Sequence, residues 1–244
     1  MDSVKIHMAS TLAGFILDAC FGDPHFLPHP VRGIGNLISL SEKGIRRLFP
    51  KTEKGELAGG ALFVLLVLGI TAALSFGLWY AAAAAGNTAL FLAESVMVYF
   101  LLAARSLRDE SMRVYYSLRN GDVEEARRNV SMIVGRDTSV LDAQGIARAA
   151  VETVAENASD GVIAPLFYLA LGGPVLGWVY KAVNTMDSME GYKNNKYFWF
   201  GRAAARHDDA ANFLTYRLSA LIMIAAAAVR RFAYRDAYRH VTHD

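Results

Sequence analysis

The chain has 244 residues, of which 54% are hydrophobic, and its formal net charge is +2. This near-neutral charge, without a basic stripe interleaved with aromatic residues, argues against nucleic acid as a partner. A single cysteine, Cys20, excludes an intramolecular disulfide and a cysteine-based zinc site. The mean hydropathy is +0.24, and the apolar residues are gathered in blocks, which is typical of an integral membrane protein.

Five apolar segments are candidates for entering or crossing a lipid bilayer. Residues 58–85 carry no charge, and a helix that rises about 1.5 Å per residue would cross a hydrocarbon core of about 30 Å over that length. The other four segments contain few charged residues and lie at 8–22, 88–104, 161–183 and 213–229. We therefore predict an all-α, polytopic membrane protein with four or five membrane segments, folded as one membrane-embedded domain over residues 1–244.

Amphipathic and polar stretches separate the apolar segments. Apolar residues recur at helical spacing over 31–49, just after prolines that break the chain, which predicts an amphipathic helix. Gly86-Asn87 predicts the turn between two long spans. Asp122 is expected to cap a helix through residue 130, and Thr138 or Ser139 to cap a helix that continues toward residue 157.

The basic loops of the chain set an expected orientation. Residues 23–57 and 105–160 carry many lysines and arginines, so the positive-inside rule places both loops, with their amphipathic helices, in the cytoplasm of a prokaryotic cell. If residues 161–183 crossed the membrane fully, the polar motifs before and after them would lie on opposite faces. Gly172-Gly173-Pro174 splits this segment into two short halves. We therefore predict a re-entrant hairpin that leaves both motifs facing the cytoplasm.

The first polar motif precedes that segment. Arg148, Glu152 and Glu156 are spaced four residues apart, so they share one helix face, and Asn157 and Asp160 follow them. A solvated ladder of ion pairs would explain the first three residues. Carboxylates gathered at a membrane boundary are also suited to Mg²⁺, which takes oxygen ligands and bridges to substrate phosphates.

The second polar motif follows the segment. Asn184, Asp187 and Glu190 lie close together in the sequence, and Lys181 precedes Asn184 by one helical turn. A polar loop with capping residues is the alternative interpretation of this motif.

A third cluster contains Asp208 and Asp209, with Arg206 before them and Asn212 after them. The two acids could simply complement the positive end of a helix dipole. Flanking arginines also favour a phosphate or metal–phosphate site.

A fourth cluster lies among prolines near the N-terminus. His25 and His29 are four residues apart, but Pro28 and Pro30 preclude a regular helix there and a third zinc ligand is not evident. We favour a rigid loop that presents Asp23, His29 and Arg32. The sequence contains neither a P-loop nor a G-x-G-x-x-G motif, so the usual nucleotide fingerprints are missing.

Four stretches together resemble one known family: GDPHFLPHPVRGIG, GRDTSVLDAQGIARAAVETVAENASDGVIAPLFY, YKAVNTMDSMEGYKN and FGRAAARHDDAANF. They are similar to the CobD/CbiB family, the adenosylcobinamide-phosphate synthases of cobalamin biosynthesis. The resemblance implies a membrane enzyme that uses ATP and Mg²⁺ to join an amino-alcohol phosphate, aminopropanol or ethanolamine phosphate, to the free propionate of adenosylcobyric acid. The product would be adenosylcobinamide phosphate, and the corrinoid is a substrate.

This chemistry suggests roles for the polar side chains, since activating a carboxylate with ATP needs groups that neutralise charge on the transferring phosphoryl group. The predicted catalytic residues are Glu152, Glu156, Asp160 and Asp187. The predicted metal ligands are Glu156, Asp160, Asp187, Asp208 and Asp209. The predicted substrate-binding residues are Asp23, His29, Arg32, Arg136, Asn157, Lys181, Asn184, Lys193, Arg206 and Asn212.

Other expectations accompany the resemblance. Family members usually continue beyond residue 244, so we expect a chain that lacks a family-typical C-terminal segment. A membrane phosphotransferase or prenyltransferase is an alternative, although the acidic motifs match neither DxxxD nor DGxxAR. A non-catalytic corrinoid-binding subunit is a second alternative. Association with a second copy, or with other membrane enzymes of the corrinoid pathway, is left open.

Overall fold

A computed structural model describes residues 3–24, 28–135, 137–191 and 196–232. All regular structure in these residues is helical, which confirms the predicted all-α class. The elements are α1 (Ser3–Phe21), α2 (Pro30–Leu48), α3 (Glu53–Ala84), α4 (Asn87–Leu101), α5 (Ala104–Arg119), α6 (Val123–Ser131), α7 (Ala143–Ala158), a π turn (Ser159–Ile163), α8 (Ala164–Glu190) and α9 (Arg202–Val229).

Long apolar helices dominate the described part of the chain. Large hydrophobic side chains such as Leu65 and Leu74 of α3 are exposed, as expected of surfaces that face lipid. Five helical stretches are long and apolar enough to cross a membrane, which confirms the polytopic prediction: Ser3–Phe21, Glu53–Ala84, Asn87–Arg119, Ala143–Glu190 and Arg202–Val229.

The fourth of these stretches does not run straight, because α8 folds back at its two glycines. Gly173 has φ 67° and ψ −167°, and Gly172 is also non-helical. The rings of Tyr168 and Tyr180 stack with centroids 4.8 Å apart, whereas a straight helix would separate these residues by about 18 Å. The predicted hairpin is therefore present, with a first arm at 164–171 and a second arm at 174–190.

Polar side chains from three other helices hold the tip of the hairpin. Pro174 has no N–H, and the break before it disrupts the helical pairing of carbonyls at the end of the first arm. His7 Nε2 lies 3.0 Å from the Leu169 carbonyl oxygen, and His7 Nδ1 lies 3.3 Å from Glu94 Oε2. Trp79 Nε1 donates to Glu94 Oε1 at 2.7 Å. The buried Glu94 carboxylate thus connects α1, α3 and α4 to the tip.

Small residues let the helices around the hairpin approach closely. A Cβ atom at Gly14 of α1 would lie 2.5 Å from Val98 Cβ of α4. A Cβ atom at Gly177 of the second arm would lie 2.5 Å from a methyl carbon of Leu101. These contacts belong to a core that also contains Phe63 and Ile38. The core fixes the second arm against α2, α3 and α4.

The predicted segment 88–104 is broken near its end, since α4 stops at Leu101 and α5 starts at Ala104. The carboxylate of Asp18, at the end of α1, accepts a hydrogen bond of 3.0 Å from the Ala104 N–H. This contact caps the first turn of α5, where the helical structure starts again. The cap comes from a residue that is remote in sequence.

Helices α5, α6 and α7 form a smaller core of their own around Val130 and Ile146. Asp122 caps α6 by accepting the Glu125 N–H at 2.8 Å, which confirms its predicted role.

The prediction that Thr138 or Ser139 caps the next helix is wrong. That helix begins at Ala143 and is capped by Asp142, which accepts the Gly145 N–H. The Thr138 hydroxyl is instead buried and directed to the Arg127 carbonyl at 3.4 Å, so residues 137–142 form a loop against α6.

The hairpin makes a topological prediction for the protein in membranes. In a chain with Cys20 replaced by serine, the exposed residues Gln144 and Ser188 are each changed to cysteine. Both cysteines are expected to react with a membrane-impermeant thiol reagent from the same side, because α8 reverses between them. Labelling from opposite sides would show that residues 161–183 cross the bilayer completely.

The tip contacts make a prediction about stability. Glu94→Leu leaves the partly buried Trp79 N–H and His7 imidazole without their acceptor, and each unpaired donor is expected to cost about 1 kcal/mol or more. Thermal unfolding in detergent should show a clearly lower Tm. Leu92→Ala, at an exposed position on the same helix, serves as the control and should change the Tm little.

Candidate functional site

The hairpin brings the first and second polar motifs into direct contact. Asn184, near the end of the second arm, donates its side-chain N–H to Asp160 Oδ2 at 3.2 Å. Asp160 lies in the π turn that joins α7 to α8. Single π turns within helices are rare and frequently occur at functional sites. The two motifs predicted from the sequence to share one site are therefore in contact in the fold.

Helix α9 adds the third polar cluster to this site. Asn212 donates to Asp208 Oδ2 at 2.9 Å and accepts from the Tyr180 hydroxyl at 2.9 Å. The Thr215 hydroxyl donates to the same Asn212 oxygen at 3.1 Å. Asn212 is fully buried, so this network fixes the direction in which Asp208 points. Asn184 also interacts with Asp208, which joins the two acids through one amide.

Two carboxylate oxygens in this cluster remain available. Asp160 Oδ1 and Asp208 Oδ1 are buried and have no hydrogen-bond partner among the described residues. Asp187 interacts electrostatically with Asp209 and Glu156 at the edge of the cluster. We call Asp160, Asp187, Asp208 and Asn184 the acidic cluster. A buried carboxylate oxygen without a donor is costly unless a cation or another ligand occupies it.

The fourth motif lies beside this cluster and forms a closed hydrogen-bond network. Val31 N–H donates to His29 Nδ1 at 3.2 Å, so the ring proton is assigned to Nε2, which donates to Asp23 Oδ1 at 3.1 Å. Ser106 of α5 donates to Asp23 Oδ2 at 3.0 Å. Both nitrogens of His29 and both oxygens of Asp23 are thus engaged. These two residues shape the site rather than offer free ligand atoms.

The electrostatics of Asp23 follow from the same contacts. Burial by itself would raise the pKa of the Asp23 carboxyl. The hydrogen bonds from His29 and Ser106, together with the positive charge of Lys181, outweigh burial and lower the pKa of the Asp23 carboxyl below its ordinary value. Asp23 is therefore a carboxylate at neutral pH.

Lys181 connects the two halves of the site. It lies on the second arm one turn before Asn184, and its ammonium group interacts electrostatically with both Asp160 and Asp23. It also lines a cavity of about 490 Å³ that contains Asp23, His29 and Arg32. Lys181 therefore stands between the acidic cluster and this cavity.

The sequence of the chain is similar to known proteins of one family. A family model described as "CobD/Cbib protein" matches residues 11–244. The chain is 48% identical to a cobalamin biosynthesis protein CobD of Geobacter metallireducens over 236 residues, which cover 97% of this chain and 73% of the relative. The chain belongs to the CobD/CbiB family. A CobD of Listeria monocytogenes is 45% identical, over 93% of this chain and 71% of its own. No solved structure matches the chain.

The family model covers all four polar motifs. The structure, however, places only some of the predicted site residues close together. Glu156 is exposed at the end of α7 and interacts electrostatically with Asp160 and Asp187. Three other predicted residues lie on exposed helix surfaces: Glu152, Asn157 and Arg206. Arg136 and Lys193 lie outside the described residues. The individual roles assigned to all these side chains stay predictions.

Several residues at the site were not predicted from the sequence. Tyr180 and Tyr216 lie among the carboxylates, and Tyr216 interacts electrostatically with Asp160 and Asp208. Ser106 comes from α5, outside the four family motifs. Tyr180 directly precedes Lys181 in one of the four family motifs, so the sequence contained a signal that could have identified it. Ser106 offered none, because only the fold places it against Asp23.

The magnesium site predicted from the CobD/CbiB resemblance can be tested against the donors present. In the described ranges, no three His, Cys, Asp or Glu side chains converge closely enough to hold a metal ion on their own. Mg²⁺ commonly keeps several waters and is held by one or two carboxylates together with substrate phosphates. The unpartnered oxygens of Asp160 and Asp208 fit that mode of binding.

The Asp23 network makes a prediction about pH. Asp23→Asn should lower the Tm at neutral pH, because the ionised carboxylate accepts hydrogen bonds from His29 and Ser106. Since the folded-state pKa is lowered, the contribution is present above the ordinary value of 3.8 and is lost as the pH falls through the folded-state pKa. Unfolding curves of the wild type and the variant should therefore converge only below about pH 4. A constant difference at every pH would contradict an ionised Asp23.

Proposed function

We propose that the protein is an ATP-dependent ligase of cobalamin biosynthesis. It would join an amino-alcohol phosphate to the free propionate of adenosylcobyric acid and release adenosylcobinamide phosphate. The proposal places the enzyme in the cell membrane with its site toward the cytoplasm, where ATP is available. Family membership and the names of its relatives support the pathway. The observation that carries the reaction type is the acidic cluster beside Lys181.

The reaction needs activation of a carboxylate, because a carboxylate is a poor acceptor for an amine. In the proposed first step, an oxygen of the corrinoid propionate attacks the γ-phosphorus of ATP, the bond to ADP breaks, and an acyl phosphate forms. In the second step, the neutral amine attacks the acyl carbon, inorganic phosphate leaves, and the nitrogen loses one proton. The products are the amide, ADP and phosphate.

The side chains of the acidic cluster suit the first step. Phosphoryl transfer is catalysed mainly by positioning and by electrostatic stabilisation. Asp160 and Asp208 would hold Mg²⁺, which when bound neutralises charge on the ATP phosphates. The Asn184 amide and the Asn212–Tyr180 network keep the two carboxylates in fixed directions. Preorganised groups of this kind do not need to reorient during the reaction.

Lys181 can neutralise the negative charge that develops on the phosphoryl group as it is transferred. Its ammonium group interacts electrostatically with both Asp160 and Asp23, and it forms no hydrogen bond or ion pair with a described residue. A cation in this position can accept a phosphate oxygen as its partner. We assign to Lys181 the neutralisation of negative charge on the transferring phosphoryl group.

A direct assay tests the proposal. The purified protein in detergent is incubated with adenosylcobyric acid, aminopropanol phosphate, ATP and Mg²⁺, and the corrinoid is followed by mass spectrometry. We expect conversion to adenosylcobinamide phosphate with release of ADP. Asp160→Asn and Asp208→Asn are each expected to lower kcat by at least about a hundredfold, because each removes a preorganised charge from the transition state.

Controls separate loss of chemistry from loss of fold. Glu125→Gln, at an exposed position on α6, should keep wild-type turnover. Unfolding and size-exclusion profiles should show that the aspartate variants remain folded. Full turnover by Asp160→Asn would refute the assigned site. Binding of the corrinoid by folded wild-type protein without conversion would instead favour the non-catalytic alternative.

A further inference from the structure

The cavity on the far side of Lys181 has features that the acidic cluster does not explain. It measures about 490 Å³ and is closed on one side by helix α5, which belongs to none of the four family motifs. We call it the α5 cavity. Besides Asp23, His29 and Lys181, its polar lining includes Arg32 from α2 and the residues Ser106, Asp109, Glu110 and Arg113 from α5.

Two cations in this lining lack partners. The side chains of Arg32 and Lys181 form no hydrogen bond or ion pair with any residue that the structure describes, although Lys181 interacts electrostatically with Asp160 and Asp23. The other cation, Arg113, pairs with Glu110 at 3.1 Å, and Asp109 pairs with Arg105 at 2.6 Å. The available positive charge is therefore concentrated on Arg32 and Lys181. A guanidinium and an ammonium group that face one cavity form a site for a phosphate oxyanion.

The carboxylates in the cavity lining are each engaged with other residues. Both oxygens of Asp23 accept hydrogen bonds from His29 and Ser106. The neutral His29 tautomer donates to Asp23, so it adds no positive charge. Arg32 and Lys181 are therefore the two cations of the lining whose side chains can bind the anion of a ligand directly.

The balance of charge in the cavity lining indicates which class of ligand the α5 cavity binds. Three acids line the cavity, Asp23, Asp109 and Glu110, and they equal in number its cations Arg32, Arg113 and Lys181. A balanced lining favours a small molecule of low net charge that carries both signs, and it disfavours a nucleotide triphosphate with several negative charges. A corrinoid is also too large for this volume. An amino-alcohol phosphate carries one phosphate and one amine, and it fits both criteria.

We propose that the α5 cavity binds the amino-alcohol phosphate, with its phosphate group between Arg32 and Lys181. This inference rests on the proposed function and deepens it, because it separates the phosphate subsite of the acceptor from the ATP and metal groups of the acidic cluster. Lys181 borders both subsites. An acceptor bound in the α5 cavity would therefore lie on the opposite side of Lys181 from the carboxylate that is activated at Asp160 and Asp208.

Arg32 provides the test, because it is exposed at the start of α2 and its replacement should not impair folding. We expect Arg32→Gln to raise the KM for aminopropanol phosphate by about tenfold or more, as expected for the loss of a charge-assisted hydrogen bond. The KM values for ATP and adenosylcobyric acid should stay within about twofold. Arg32→Lys, which keeps the charge but loses the bidentate geometry, should recover part of the affinity. Arg47→Gln, exposed on the same helix and outside the cavity lining, should behave like the wild type.

Binding measured without turnover distinguishes this inference from the proposed function. Calorimetry with aminopropanol phosphate, in the absence of ATP, should show binding to the wild type and much weaker binding to Arg32→Gln. Aminopropanol without the phosphate should bind weakly to both. If this pattern appears without ligation, the cavity assignment stands and the ligase proposal fails. If the wild type ligates but Arg32→Gln raises only the KM for ATP, or changes no KM, the cavity assignment is overturned.

Discussion

The hydrogen bond between the Asn184 amide and the Asp160 carboxylate joins two residues that a straight helix would hold about 36 Å apart. It exists only because α8 reverses at Gly172 and Gly173, where Gly173 adopts a left-handed backbone conformation. The reversal places two polar motifs at one end of the helix bundle and leaves apolar arms between them. The contacts of Lys181 with Asp160 and Asp23, and of Asn184 with Asp208, depend on this return of the chain.

A reversal inside an apolar bundle has its own requirement, since backbone polar groups in hydrocarbon must find partners. Helix α1 meets that requirement at one end, where His7 contacts the Leu169 carbonyl. Its other end carries Asp18, which caps α5, and Gly22, whose carbonyl accepts the Tyr99 hydroxyl. One helix therefore fixes the hairpin tip and also the wall of the α5 cavity. The two ends of the protein are coupled through α1, although its residues take no part in the proposed chemistry.

The sequence anticipates those features that depend on local chemistry. Blocks of apolar residues reveal the long helices, Asp122 caps the helix that follows it, and Gly172-Gly173-Pro174 reveals the hairpin. The errors occur where a distant residue decides the outcome. The break before Ala104 depends on Asp18, and the Thr138 hydroxyl is directed to Arg127 instead of capping a helix. Likewise, the motifs contain many acidic residues, and the sequence does not distinguish among them. Only the packing of the helices leaves Asp160 and Asp208 each with a carboxylate oxygen that has no hydrogen-bond partner among the described residues.

The π turn at residues 159–163 sets the rotation of α8 relative to α7 about the helix axis. A π turn accommodates one residue more than the corresponding α-helical turn. Because the wider turn takes up this extra residue, the helices on its two sides keep nearly the relative rotation of a continuous α-helix. One residue added to the regular first arm of α8 would instead rotate everything beyond it by about 100°. Asn184 could then no longer reach Asp160, even though every side chain of both motifs was retained. The exposed turn at 120–122 carries no such geometric relation. We therefore expect natural variants of this chain to differ in length at the exposed turn and to keep a constant count of residues through the first arm of the hairpin.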